Sequence, residues 1–393
     1  MKVIVLGQSP LPDPETSFCT FPQLRTWSIY RWLRENEAAL NINLHLILLH
    51  DGSHSEGLNV YDLNDMKRLY QIAFDADVVI TAGPFLPLVA LLHLPDSIPL
   101  WLDYPSDPLA DRQSKHNAEP IPSSEYEFIS ELTRHAMHRA DAMGVISQRQ
   151  LFASVGQRLL LGCTDIPIEY IPIAYDFPHQ RSTGSVNSTT DVILSGSNNS
   201  WLDLNRLKNL LIDRTVHCTG MSVQHLPERT IPETWTQHGW LNDIDLHAVL
   251  SRCSFGVWTD AKGVEPLLGS RTRALFYIWS GLTPIGDTTT ELAQELTEAK
   301  CMNSWEQQNP FVSIDIDHAQ QYCLDNYAPD KVYAPLRHWL GAPKLKHRTP
   351  SPSTHIENLR LRSELDAIYA SKTWIWGSKF HGLIKQMLSN RRR

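Results

Sequence analysis

Short apolar runs alternate with amphipathic stretches along most of this chain. Residues 2–6 read as a buried strand that Gly7-Gln8-Ser9-Pro10 breaks. Residues 22–38 then read as a helix with Leu24, Trp27, Ile29 and Leu33 on its apolar side. Further strands are expected at 44–49, 78–81, 99–102, 142–146 and 169–171. Helices are expected at 63–73 and 124–139, with another starting from a Ser147 cap. A polar stretch rich in Ser, Thr and Asn, 176–190, interrupts the pattern as an interdomain linker. The alternation then restarts, with strands at 192–194, 216–219, 255–258 and 282–285 and helices at 204–211, 244–251, 291–299 and 318–324. Strands alternating with helices predict parallel sheets. The restart predicts two α/β domains, 1–175 and 176–343, with a cleft between them where a ligand sits.

One stretch, 255–287, carries the most chemistry. It reads as a strand, a polar loop bearing Glu265, and a helix capped by Ser270 with Arg271, Thr272 and Arg273 in its first turn. Gly281 stands where a left-handed residue ends the helix. Two cations at the positive end of a helix are unfavourable by themselves. Free backbone N–H groups beside two guanidinium groups suit a bound anion, most naturally a diphosphate. The competing reading pairs one arginine with a nearby carboxylate and turns the other to water. On the binding reading, Arg271→Ala and Arg273→Ala abolish nucleotide binding and leave the fold intact.

Other candidates are spread along the first half. Gly7 and the loop after it would let the backbone approach a ligand, or Gly7 merely ends a strand. Arg25, at the start of the first helix, faces the cleft or the solvent. Asp103 and Asp107 flank a proline loop at a strand end, where acceptor groups or a base could stand, or else they form Asx turns. His135 and His138 share a helix face, but no third ligand stands near them, so no metal site is expected.

The totals narrow the classes. A net charge of −8 disfavours general nucleic-acid binding. Six cysteines with no C-x-x-C pair suggest reduced thiols in a cytoplasmic protein. The apolar N-terminal run is too short for a signal peptide, and no apolar segment reaches the ~20 residues of a membrane span. Residues 344–393 read as a basic, proline-rich linker followed by helices. There Trp374, Trp376, Phe380, Leu383 and Ile384 accompany Lys379, Lys385 and three terminal arginines. That composition suits a basic amphipathic C-terminal helix, which either makes peripheral contact with the inner membrane surface or docks on the rest of the protein with a solvated basic tail.

With both halves laid out, the chain resembles GT-B-fold glycosyltransferases, specifically a glycosyltransferase family 4 subgroup of bacterial polysaccharide clusters. Glu265, Arg271-Thr272-Arg273, Trp279, Gly281, Leu282, Gly286 and Asp287 keep places in that subgroup's pattern. Leu24-Arg25-Thr26-Trp27, Asp77-Val78-Val79-Ile80, Trp101-Leu102-Asp103-Tyr104 and Ser195-Gly196 followed by Trp201-Leu202-Asp203 resemble its other motifs. The resemblance covers roughly residues 1–295. It implies two Rossmann-like domains facing a cleft, with the acceptor on the first and the donor on the second.

It further implies a retaining, metal-independent transfer from a nucleotide-diphosphate sugar to a glycan, glycolipid or small hydroxyl acceptor, with no cofactor. Arg271 and Arg273 would stabilise the leaving diphosphate, and Glu265 would hold sugar hydroxyls. Gly7, Ser195, Gly196, Ser270 and Thr272 would border the donor, and Asp103 the acceptor. Phe276 stands where the pattern has an aspartate for the ribose, and no cation directly follows Ser195-Gly196. A non-catalytic nucleotide-sugar binder or assembly partner therefore remains the alternative, and an epimerase on the same fold a third reading.

Overall fold

The computed structural model describes residues 1–12, 20–50, 60–62, 73–115, 120–163, 167–178, 181–182, 190–196, 202–220 and 232–345. Seven strands form the first sheet: β1 Lys2–Gln8, β2 Asn43–His50, β3 Val60–Asp62, β4 Val78–Thr81, β5 Leu100–Tyr104, β6 Ala142–Val145 and β7 Ile168–Tyr170. Their order is β3-β2-β1-β4-β5-β6-β7, with every pair parallel. Six strands form the second: β8 Val192–Ser195, β9 Val216–Thr219, β10 Thr236–Gly239, β11 Phe255–Val257, β12 Thr283–Gly286 and β13 Asn303–Ser304. Their order is β10-β9-β8-β11-β12-β13, also all parallel.

The crossovers of the first domain are α1 Phe21–Glu35, α2 Glu37–Leu40, α3 Phe85–Ala90, α4 Pro108–Lys115, α5 Ser123–Arg139 and α6 Gln148–Leu160. Those of the second are α7 Leu204–Leu210, α8 Asp243–Leu250, α9 Val264–Leu268, α10 Thr272–Trp279, α11 Glu291–Glu298 and α12 Ile316–Tyr327. The last two helices are α13 Pro329–Val332 and α14 Ala334–Leu340.

The apolar runs of β1 have a simple cause. Val3 and Val5 point into one core and Ile4 and Leu6 into another, so both faces of the strand are covered by helices. Helix α1 begins where the side chain of Gln23 accepts the backbone N–H of Thr20 at 2.6 Å, half of a capping box. Its Ile29, Trp32 and Leu33 are buried.

In both sheets the strand order reverses beside the first strand, between β1 and β4 and between β8 and β11. At such switch points adjacent loops diverge and leave a crevice at the carboxyl ends of the strands. The two crevices face each other. Gln8, Pro84, Pro105 and Ile146 on one side, and Ser195, Gly196, Thr219 and Gly220 on the other, all border a single cleft.

Three strands and five helices were not expected from the sequence: β3, β10, β13, α3, α4, α9, α13 and α14. Each is too short to show a period. The chain also ends differently from the simple two-block expectation, because α13 and α14 return to the first domain. Tyr333 meets Ser28 of α1 through their hydroxyls at 2.7 Å and packs on Trp32 with ring centroids 5.2 Å apart. Trp339 packs on Trp101 of β5 at 5.5 Å. The expected helix at 63–73, apart from Ala73, His116, Trp201, and the basic C-terminal segment from residue 346 lie outside the described residues. Among the described residues no helix is long and apolar enough to cross a membrane.

Candidate active site

The cleft between the two sheets has a volume of about 790 Å³. Its second-domain wall is built by the ends of β8 and β9 and by the segment that joins β11 to α10. Glu265, Gly269, Ser270, Arg271, Thr272 and Arg273 all border it. Glu265 lies on the one-turn helix α9 rather than in an irregular loop. Helix α10 starts one residue later than the Ser270 cap implies: Arg271 occupies the N-cap position and caps nothing with its side chain. The reason lies in where that side chain goes.

Arg271 is only 3% exposed, and two carboxylates hold it. Its Nε donates to Asp260 at 2.7 Å, and its terminal nitrogens donate to the two oxygens of Glu265 at 3.3 Å each. Burial alone would lower the Arg271 pKa; Glu265 and Asp260 outweigh burial and hold it raised. Burial raises the Asp260 pKa, and Arg271 opposes that shift. The Asp260 backbone N–H in turn donates to Asp287 at 2.6 Å, and Asp287 is clamped by Arg206 of α7 at 2.7 and 2.8 Å. Arg271 thus spans a layered network in which its charge is already balanced. The expectation that Arg271→Ala leaves the fold intact does not survive this geometry, because the substitution strands Asp260 in a buried position.

Arg273 is placed differently. It lies in the first turn of α10, beside the end of β8. A Cβ on Gly196 would stand 3.0 Å from its Nη2, and Gly196 has φ +98°. Both the close approach and the left-handed backbone call for glycine there. Burial lowers the Arg273 pKa; Tyr277 opposes that, while Arg271 adds to it. Asp260 and Glu265 oppose the shift as well, and the Arg273 guanidinium borders the cleft beside Gly196, where an anion could meet it.

Tyr277, four residues on along the same helix face, completes the corner. Its hydroxyl accepts the backbone N–H of Ser195 at 3.0 Å and donates to the Val257 carbonyl at 3.3 Å, so it ties β8 to β11 at the switch point. Sequence reasoning missed Tyr277, although the four-residue spacing from Arg273 was a usable signal. Asp260 carried no signal of its own. Trp240, also missed, borders the cleft and lies over Gly220, where a Cβ would come 3.2 Å from its ring.

Four candidates read at the cleft are elsewhere. Asp103 is 1% exposed, forms a bidentate ion pair with Arg25 (2.7 to 3.3 Å), and does not border the cleft. Arg25 also donates to the carbonyls of Ile171 at 3.1 Å and Pro172 at 2.8 Å, so it faces neither the cleft nor the solvent. The pair anchors α1 to β5 and to the chain leaving β7. Gly7 lies under α1: a Cβ there would come 2.0 Å from the Thr26 methyl, so the glycine admits a helix and not a ligand. Asp107 caps α4 by accepting the Ala110 N–H at 2.9 Å.

The walls are also tied across the cleft's edge. Ser147 Oγ donates to the Leu268 carbonyl at 2.6 Å, and Arg149 donates to the Thr289 carbonyl at 2.7 Å. On the far side an aromatic cluster joins the crossover to α10. Phe177 meets Phe276 at 5.7 Å, and Tyr175 meets Trp279 at 5.1 Å.

Solved structures share this architecture. HepE from Anabaena, in complex with UDP and glucose, aligns with a TM-score of 0.57 at 13% identity over 87% of this chain and 100% of that one. Sucrose-phosphate synthase from Thermosynechococcus elongatus aligns at 0.55 and 12% identity over 94% and 100%. A glycosyltransferase involved in avilamycin A biosynthesis aligns at 0.54 and 12% identity over 87% and 98%.

The fold is GT-B.

At such identities the likeness speaks to the fold alone. No family model matches the sequence, and neither does any curated protein. Within the GT-B frame, Ser195, Gly196, Glu265, Ser270, Arg271, Thr272 and Arg273 share one wall of the interdomain cleft, whereas Gly7 and Asp103 belong to the packing of α1.

Proposed function

We propose that the protein is a glycosyltransferase that moves a sugar from a nucleotide-diphosphate donor to a hydroxyl acceptor, with retention and without a bound metal. The observation that carries this reading is Arg273. It is a partly buried cation at a helix N-terminus, beside a left-handed glycine at the switch point of the second sheet, facing the cleft. Those features together suit a diphosphate. HepE, of the same fold, was solved with UDP and glucose.

In this reading Arg273 and the first backbone N–H groups of α10 hold the diphosphate. Glu265, oriented by Arg271, faces the sugar hydroxyls. Trp240 offers a flat apolar face to the nucleobase. The bond between the sugar's anomeric carbon and the diphosphate oxygen breaks as the acceptor oxygen bonds to that carbon from the same face. The acceptor's proton passes to the departing phosphate oxygen. Family 4 membership belongs to the same proposal and rests on the sequence motifs, and peripheral membrane contact rests on the composition of the C-terminal segment. The motifs also suggest a role in cell-surface polysaccharide or glycolipid assembly, an acceptor class that the chemistry of the cleft argues against.

Phe276 favours a second reading. It borders the cleft with its ring against Phe177, where the resemblance expects an aspartate for the ribose. A binder without transferase activity would fit that replacement.

A thermal-shift panel of nucleoside diphosphates tests the donor site. One base is expected to raise Tm, by about 2.7 kcal/mol of stabilisation at a hundredfold excess over its Kd. Arg273→Ala should remove the shift. If no nucleoside diphosphate shifts the wild type, the reading fails. Slow release of nucleoside diphosphate from the matching sugar donor separates the enzyme from the binder.

A further inference from the structure

The two walls of the cleft differ in chemistry, and the difference points to the acceptor. The inference rests on the donor reading above, since a donor held on the second-domain wall leaves the first-domain wall to the acceptor. That wall is dominated by apolar groups: Phe21 and Leu24 from α1, Phe85 from α3, Pro108 from α4, Ile129 from α5, and Ile146 after β6. Phe85 is 37% exposed, edge-on to Phe128 with centroids 6.2 Å apart, so its outer face is available. The apolar area that reaches the cleft comes chiefly from Phe85, with half-buried Phe21 and Leu24, since Ile129, Ile146 and Pro108 are buried; such area is worth about 25 cal/mol per Å² to whatever covers it.

Among the described residues the charged groups on this wall are few. Arg112 and Glu125 form an ion pair with each other, and Asp111 leaves the wall net negative. No excess of cations stands among its described residues to receive a phosphate or a nucleic-acid backbone. A sugar acceptor would need several polar partners to replace the water it sheds. Among the described residues the neutral polar side chains here are Gln8, Thr20 and Ser106, near the mouths of β1, α1 and β5. They suffice to orient one hydroxyl. The whole cleft, about 790 Å³, is of the size that encloses compact ligands.

We infer that the acceptor is a small, uncharged molecule whose hydroxyl is carried on an apolar ring body, seated on Phe85, Phe21 and Leu24. Transfer forms the bond from its oxygen to the donor's anomeric carbon, breaks the bond from that carbon to the diphosphate, and passes the hydroxyl proton to the diphosphate.

The test uses the full chain with the sugar donor whose hydrolysis it supports. Three acceptors are compared by mass spectrometry of products: 2-naphthol, cellobiose and glucose 6-phosphate. The expected result is transfer to 2-naphthol with kcat/KM at least tenfold above the other two. Phe85→Ser should raise KM for 2-naphthol at least tenfold, with a smaller change in kcat. Donor hydrolysis with no transfer to 2-naphthol, a preference for cellobiose or glucose 6-phosphate, or an unchanged KM in Phe85→Ser overturns the acceptor class while leaving the donor reading in place. If there is neither hydrolysis nor a nucleotide-induced shift, the donor reading fails and this inference falls with it.

Discussion

Glu291, in the first turn of α11, accepts the backbone N–H of Gln148 at 2.6 Å, in the first turn of α6 on the other domain. The same carboxylate accepts the Arg149 N–H at 3.1 Å. One negative charge therefore serves the positive ends of two helices from different domains, and it does so only when the cleft is closed. Glu291→Ala should cost the closed form about 1–2 kcal/mol. Small-angle scattering should show a larger radius of gyration, and kcat/KM for transfer should fall about 5- to 30-fold. An unchanged radius would show that other contacts alone set the closure.

Arg271 and Arg273 should separate cleanly under mutation. Arg271→Ala leaves Asp260 buried without its cation and should lower stability by about 3–5 kcal/mol. Calorimetry should register a fall in Tm of roughly 6–20 °C. Adding Asp260→Asn should recover part of it. Arg273→Ala should keep Tm close to that of the wild type while losing the nucleotide shift. Equal Tm values for the two single variants would contradict the separate roles.

The placement of Gly7 under Thr26 can be tested by a pair of substitutions. Gly7→Ala forces its methyl group against the Thr26 methyl and, less closely, its hydroxyl, and should destabilise by about 1–3 kcal/mol, of which Thr26→Ser can relieve only the methyl part. Thr26→Ser removes that methyl while keeping the hydroxyl that donates to the Ala82 carbonyl at 2.8 Å. The double variant should therefore be more stable than Gly7→Ala alone. Independent, additive losses in a denaturant titration would rule out the steric account.

Acid should weaken the first domain through His135. Burial lowers its pKa to about 4, with Asp96 opposing that shift. Between its ordinary value near 6.5 and about 4, the unfolded chain binds a proton that the folded chain refuses, so stability falls as pH drops through that window. Asp176 acts in the opposite sense. Burial raises its pKa to about 6 despite Arg31, so its contribution is present at low pH and is lost as pH rises through about 6. Comparing His135→Leu with wild type isolates the histidine. The variant should gain relative to wild type by roughly 3 kcal/mol as pH falls from 6.5 to 4. A difference that stays flat across this range would mean that His135 takes up its proton in the folded state.

The periodic parts of the fold were legible along the chain. Strands β1, β4, β9 and β11, the Ser147 cap whose oxygen accepts the Gln150 N–H at 3.0 Å, and the left-handed Gly281 at φ +78° follow from local patterns. The return of α13 and α14 to the first domain was not legible. It depends on Tyr333 and Trp339 finding Trp32 and Trp101, some three hundred and two hundred and forty residues away. Phe85 and Ile129 each look like ordinary core residues, and only the fold shows that they face the same space.

The sequence by itself determined two α/β halves and the presence of two cations at the head of α10, because hydrophobic period and capping chemistry act over a few residues. Tertiary structure alone decided what those cations do. Arg271 meets Asp260 and Glu265 eleven and six residues away across a turn, while Arg273 meets Gly196 from another strand. The same decision moved Asp103 from candidate acceptor group to partner of Arg25, seventy-eight residues distant. A buried charge is settled by whichever counter-charge the packing brings within hydrogen-bond reach, and that distance is a property of the folded chain.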